Sequence, residues 1–136
     1  MTVIPTAWRY KLADNYLAEL ITCLVALSSG AFGVVIVALP EQFRQAASFR
    51  QAFEWLPPFA WGLPMLVFAV LMLGLLTHSR IAAALPTFLL AIMWVAWVVP
   101  IAMSPGFIPS APIVYTALAL FTMLAGFALM VPRREV

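Results

Sequence analysis

Residues Pro40 to Pro58 read PEQFRQAASFRQAFEWLPP. This stretch holds Glu41, Arg44, Arg50 and Glu54, in a chain with only 7 Lys and Arg and 5 Asp and Glu. Prolines bound it on both sides. Proline ends or restarts helices because it lacks an amide hydrogen and crowds the turn before it. On a helical wheel of about 100° per residue, Phe43, Ala46, Phe49, Phe53 and Leu56 share one broad arc. Glu41, Arg44, Gln45, Ser48 and Gln51 take the other side, and Arg50 and Glu54 are spaced to pair. A short charged helix with an aromatic face is the pattern of a segment lying in a membrane interface. The stretch thus divides one long apolar run before it from three after it. The expected fold is an all-α membrane protein: four transmembrane helices, with an amphipathic interfacial helix between the first and second.

Composition supports that reading. The chain has 136 residues, 65% hydrophobic and 9% charged, with a mean hydropathy of +1.08. Soluble domains carry roughly 25% charge and 45–50% apolar residues. So few polar groups cannot cover so much apolar surface in water, and the bilayer becomes the solvent. The basic residues sit at span ends, which speaks for orientation in a membrane and against nucleic-acid binding. Cys23 is the only cysteine, so one chain can form neither a disulfide nor a thiolate metal cluster. The first apolar run is too long for the h-region of a signal peptide and reads as a span.

The spans fall at about 16–39, 59–76, 81–99 and 113–131, in a single domain over 1–136. Trp8 and Tyr10 before the first span, and Tyr16 at its start, are the residues expected at a headgroup boundary. Within it, Ala26 and Gly30, and Ser29 and Gly33, are pairs of small residues four apart. Such pairs share a helix face and admit another backbone, from the same chain or from another copy. Thr122 and Gly126 repeat the spacing in the fourth span. Pro64 lies in the first turns of the second span, and Pro86 marks a place for a slight kink in the third. Thr77-His78-Ser79-Arg80 is so short a turn that spans two and three form an antiparallel hairpin. Trp94 and Trp97 share a face, as an aromatic belt or packing pair, or as a wall for a cation or quinone. Residues 100–112, PIAMSPGFIPSAP, carry four prolines and no charge, a density that argues against regular helix there.

Four spans put both termini on one side. Arg9, Lys11, Arg80, Arg133 and Arg134 lie on that side, and Arg44 and Arg50 on the other. The positive-inside rule then places both termini in the cytoplasm, and the expected location is the bacterial inner membrane as a multi-pass protein.

Candidate chemistry is sparse. His78 is the only histidine, so one chain cannot supply a bis-histidine haem site or a histidine-rich zinc site. No HExxH, GxSxG or Walker loop occurs. Glu19 is the one ionisable side chain within a span. It is a possible functional carboxylate, for an intersubunit or proton-linked contact, or else the partner of Lys11 or Arg80. No enzyme activity, cofactor or metal is expected.

LPEQFRQAASFRQAF closing the first span, EWLPPFAWG opening the second, the Trp-rich third span and a Pro-Gly loop leading to APIVYTALAL form a layout over the whole chain. This layout resembles small four-span membrane proteins encoded by bacteriophages and prophages. The resemblance implies a phage role such as holin-like lysis, superinfection exclusion or assembly. The chain differs from familiar holins in its four spans and short basic tail.

Three functional classes follow. The first is a non-catalytic protein acting through helix packing, with itself or with another membrane protein as partner besides the lipid bilayer. The second is a holin-like pore. The third is a small transporter or quinone- or lipid-handling protein, whose polar lining would come from Glu19, Thr22, Ser28, Ser29 and Thr122.

Overall fold

The structure, a computed structural model, describes residues 16–132. Trp8, Tyr10, Arg9, Lys11, Arg133 and Arg134 lie outside the described residues. Helix α1 covers Leu17–Ala38. The connector after it holds α2 (Pro40–Gln45), a 3-10 turn (Ala47–Phe49) and α3 (Arg50–Trp55). Helices α4 (Pro58–Leu76), α5 (Arg80–Met103) and α6 (Ser110–Met130) complete the chain. No strand occurs among the described residues. Helices α1, α4, α5 and α6 are long and apolar enough to cross a membrane. The protein is therefore a multi-pass membrane protein with a four-helix bundle.

Around the bundle the order is α1, α4, α5, α6, with α1 closest to α4 and α5 closest to α6. Helices α1 and α5 thus stand on one diagonal. Both start at the same end, with the Thr77–Ser79 turn; we call this the terminal end. The two long connectors share the opposite, connector end.

Boundaries differ from the sequence reading in one instructive place. Helix α5 runs through Pro100 to Met103, and α6 begins at Ser110, so only residues 104–109 link them. Pro112 is the third residue of α6, where the missing amide hydrogen has no intrahelical acceptor in any case. Past Pro100 the helix is held by Ser104, whose Oγ donates to the Pro100 carbonyl at 3.0 Å. Pro64 and Pro86 both lie inside helices, deeper than a first-turn proline. Membrane helices accept this where neighbouring helices cover the freed carbonyls.

The amphipathic connector is helical as expected, but it breaks at Ala46, whose backbone is extended. Its aromatic face points into protein. Phe43, Phe49 and Phe53 pack on the connector end of the bundle. Arg50 and Glu54 do not pair with each other; Arg44 pairs with Glu41 at 3.2 Å. An acid placed N-terminal to its base suits the helix dipole, and Glu41–Arg44 has that order while Arg50–Glu54 has the reverse.

Candidate functional site

The small-residue face of α1 meets α4. A Cβ built on Gly33 would stand 2.5 Å from the Gly62 carbonyl oxygen, and one on Gly62 2.6 Å from that of Gly33. The two backbones are therefore in direct contact, a distance no side chain permits. A Cβ on Gly30 would lie 3.3 Å from the Ala69 Cβ, while Ala26 and Ser29 are buried beside it. Gly62 escaped the sequence reading because it has no small partner four residues away; its complement lies on another helix. In the fourth span, a Cβ on Gly126 would come 2.9 Å from the Phe88 ring of α5, and Thr122 is fully buried.

The α1–α5 diagonal is filled by large side chains instead. Trp94 and Trp97 are essentially unexposed, at 1% and 0%. Burial at this depth makes them a packing pair and removes them from any aromatic belt. Phe32 of α1 touches both, with ring centroids 5.2 and 5.7 Å away. Tyr115 of α6 stacks on Trp94 at 5.7 Å and meets Trp97 edge-on at 6.2 Å. From α4, Trp61 approaches Trp97 edge-on at 5.2 Å. From the connector, Phe49 stacks on Trp97 at 5.7 Å and Phe53 lies 5.8 Å away. Edge-on and stacked pairs contribute about 0.5–1.5 kcal/mol each beyond area burial, so this cluster is the main joint between connector and bundle.

Hydrogen bonds fix the same joint. The Trp94 Nε1–H donates to Ser29 Oγ at 3.0 Å across the diagonal. The Trp61 Nε1–H donates to the Ala52 carbonyl at 2.9 Å and ties α3 down. Trp97 Nε1 has no aligned partner among the described residues. The connectors also lock to each other: Ile108 N–H donates to Ser48 Oγ at 3.0 Å, and Gln51 N–H to Ser104 Oγ at 3.3 Å. Ser48 and Ser104 are both buried, although the helical wheel put Ser48 on the connector's polar side. A serine in a loop carries no periodic signal; its partner is a backbone amide more than fifty residues away.

At the terminal end, the Nε of Arg80 lies 2.9 Å from Glu19 Oε1. The Nη1 and Nη2 atoms of Arg80 donate to the carbonyls of Val131 and Ala128, at 3.2 and 3.3 Å. Ala128 belongs to the last turn of α6 and Val131 follows its end, where backbone acceptors lack intrahelical partners. Arginine's planar fork serves the two carbonyls through its Nη atoms while its charge faces Glu19 as an ion pair. Glu19, in the first turn of α1, also faces the positive end of its own helix dipole. The carboxylate is thus held in an electrostatic joint among α1, α5 and α6.

The polar groups that a transport lining would need are otherwise engaged. The hydroxyls of Thr22 and Thr122 donate back to the carbonyls of Ala18 and Leu118, at 2.7 and 2.6 Å. Ser29 holds Trp94, and Ser28 lies on the exposed side of α1. His78 is exposed in its turn, with Nδ1 2.9 Å from Thr77 Oγ1 and 3.1 Å from the Gly74 carbonyl. No protein-family model, curated protein or solved structure matches this chain.

Proposed function

We propose that the protein is a non-catalytic integral membrane subunit that serves a larger membrane assembly through its lipid-facing surface. The observation that carries this reading is the use of the candidate residues within the chain. The α1 glycine face is occupied by α4, Gly126 by Phe88, and Glu19 by Arg80. With these faces satisfied internally, self-association through them is disfavoured against binding a different membrane protein. The packed aromatic interior also disfavours a pore or substrate path along the bundle axis. A phage or prophage setting, suggested by the chain's layout, is part of this proposal. So is insertion in the bacterial inner membrane with both termini in the cytoplasm, which the basic-residue asymmetry supports.

Photocrosslinking in the host membrane tests the proposal. A photoreactive residue is placed at Leu24, Val70, Ile92 or Leu124, exposed positions on the four spans. The expected result is a crosslink to one defined membrane protein from one side of the bundle. Crosslinks only between copies would replace the accessory role with a homo-oligomer. A scheduled collapse of membrane potential on expression, read with a dye, would replace it with a holin. Reporter fusions at the C-terminus check topology, and an outside signal there would reverse it.

A further inference from the structure

A depression of about 330 Å³ lies at the connector end, lined by Arg44, Arg50, Phe53, Glu54, Trp55 and Leu56, among others. Its rim is where α3 ends at Trp55 and the membrane-spanning α4 begins at Pro58. The end of a spanning helix is where lipid headgroups are expected. The aromatic side of this connector is spent on the bundle, so its charged side is left to the interface. Arg50 and Glu54 are exposed, and neither makes an ion pair or side-chain hydrogen bond among the described residues. Arg44 shares its charge with Glu41. Two guanidinium groups and one carboxylate in a single depression offer both signs of charge to one ligand.

We propose that this depression binds the headgroup of an aminophospholipid, with Arg50 and Arg44 on the phosphate and Glu54 on the primary ammonium. Arginine donors match phosphate oxygens, and the pairing is charge-assisted. A purely anionic headgroup would meet repulsion from Glu54, and a quaternary ammonium would give it no hydrogen to accept. The depression is open to the surface, so a headgroup can enter it while its acyl chains stay outside. Trp55 and Leu56, both roughly half-exposed, meet the carbons next to the phosphate, where aromatic residues favour the interface. The inference depends on membrane insertion and not on which protein partner the chain serves.

The test is native mass spectrometry of the full chain in detergent, offered phosphatidylethanolamine, phosphatidylcholine or phosphatidylglycerol in turn. Phosphatidylethanolamine is expected to be retained over both others. Arg50→Gln should weaken its retention about tenfold or more, the loss of one charged hydrogen bond. Glu54→Gln should keep phosphate lipids bound and erase the preference over phosphatidylglycerol. Glycerophosphoethanolamine and inorganic phosphate serve as soluble competitors. Displacement by equimolar inorganic phosphate would reduce the site to a simple anion site and overturn the proposal. Equal retention of the three lipids, or an unchanged Arg50→Gln protein, would also overturn it. The comparison of lipids on the unmodified protein stands even if a variant misfolds.

Discussion

Gly33 and Phe32 are neighbours on α1, and they hold two sides of the bundle by opposite means. Gly33 contributes no side chain and lets the α4 backbone touch at Gly62. Phe32 contributes a ring and reaches Trp94 and Trp97 across the diagonal. In lipid, burying an apolar side chain gains little over leaving it among acyl chains, so helices associate through close packing and polar contacts. Close packing is reached either by removing side chains until backbones meet or by filling the gap with rigid aromatic groups. This bundle uses the first on the α1–α4 seam and the second on the α1–α5 diagonal. Mutations at the two places should therefore fail differently.

Gly33→Leu should have the largest effect. It drives a branched side chain into the Gly62 backbone, where neither helix can yield without parting, and a loss above about 4 kcal/mol or failure to fold is expected. Thermal unfolding and size-exclusion elution in detergent measure it. A variant that melts like the parent would show that the seam is not a contact. Trp97→Ala should cost about 3–5 kcal/mol by leaving a cavity under the connector. Here the spans should stay associated while the connector loosens, so trypsin should cut faster after Arg44 and Arg50. Unchanged cleavage would mean that the aromatic cluster does not hold the connector.

Arg80→Gln adds a third kind of joint, a polar one at the far end. It removes the charge beside Glu19, and a loss of about 1–3 kcal/mol is expected on unfolding in detergent. Ser29→Ala should cost less, about 0.6 and at most about 1.7 kcal/mol, the range for hydrogen bonds between membrane helices. A double-mutant cycle with Trp94→Phe isolates it, and zero coupling would remove this bond from the account. Gly74→Ala should be the one change that stabilises. A Cβ there meets nothing within 4 Å, so gained helix propensity should stabilise by up to about 1 kcal/mol. Destabilisation instead would reveal an occupied face where this chain offers open space.

Much of this architecture is written in local pattern. Four apolar runs, the charged stretch between Pro40 and Pro58, the short Thr77–Ser79 turn and the small-residue spacing on α1 are all visible in the chain. They depend on solvation and on residue size, which a sequence displays directly. The helix ends near Pro100 and Pro112 were less legible: α5 runs on past Pro100 to Met103, and the Pro100 carbonyl near that end is satisfied by Ser104 Oγ, a pairing that proline density does not display. Glu19 was readable as a charge needing a partner, and Arg80 is one that it meets; Lys11, the other candidate, lies outside the described residues. Which way the aromatic face of the connector turns was not legible at all. Phe43, Phe49 and Phe53 suit lipid and protein equally by hydrophobicity; they turn inward because Trp97 and Trp61 offer shaped surfaces and Ala52, Ser48 and Ser104 offer hydrogen-bonding groups. Gly62 was silent for the same reason: a single small residue has no spacing to read, and its meaning comes from the glycine opposite. Pairings between distant residues follow from how α1 and α4 meet in space, and no local pattern in either helix encodes them.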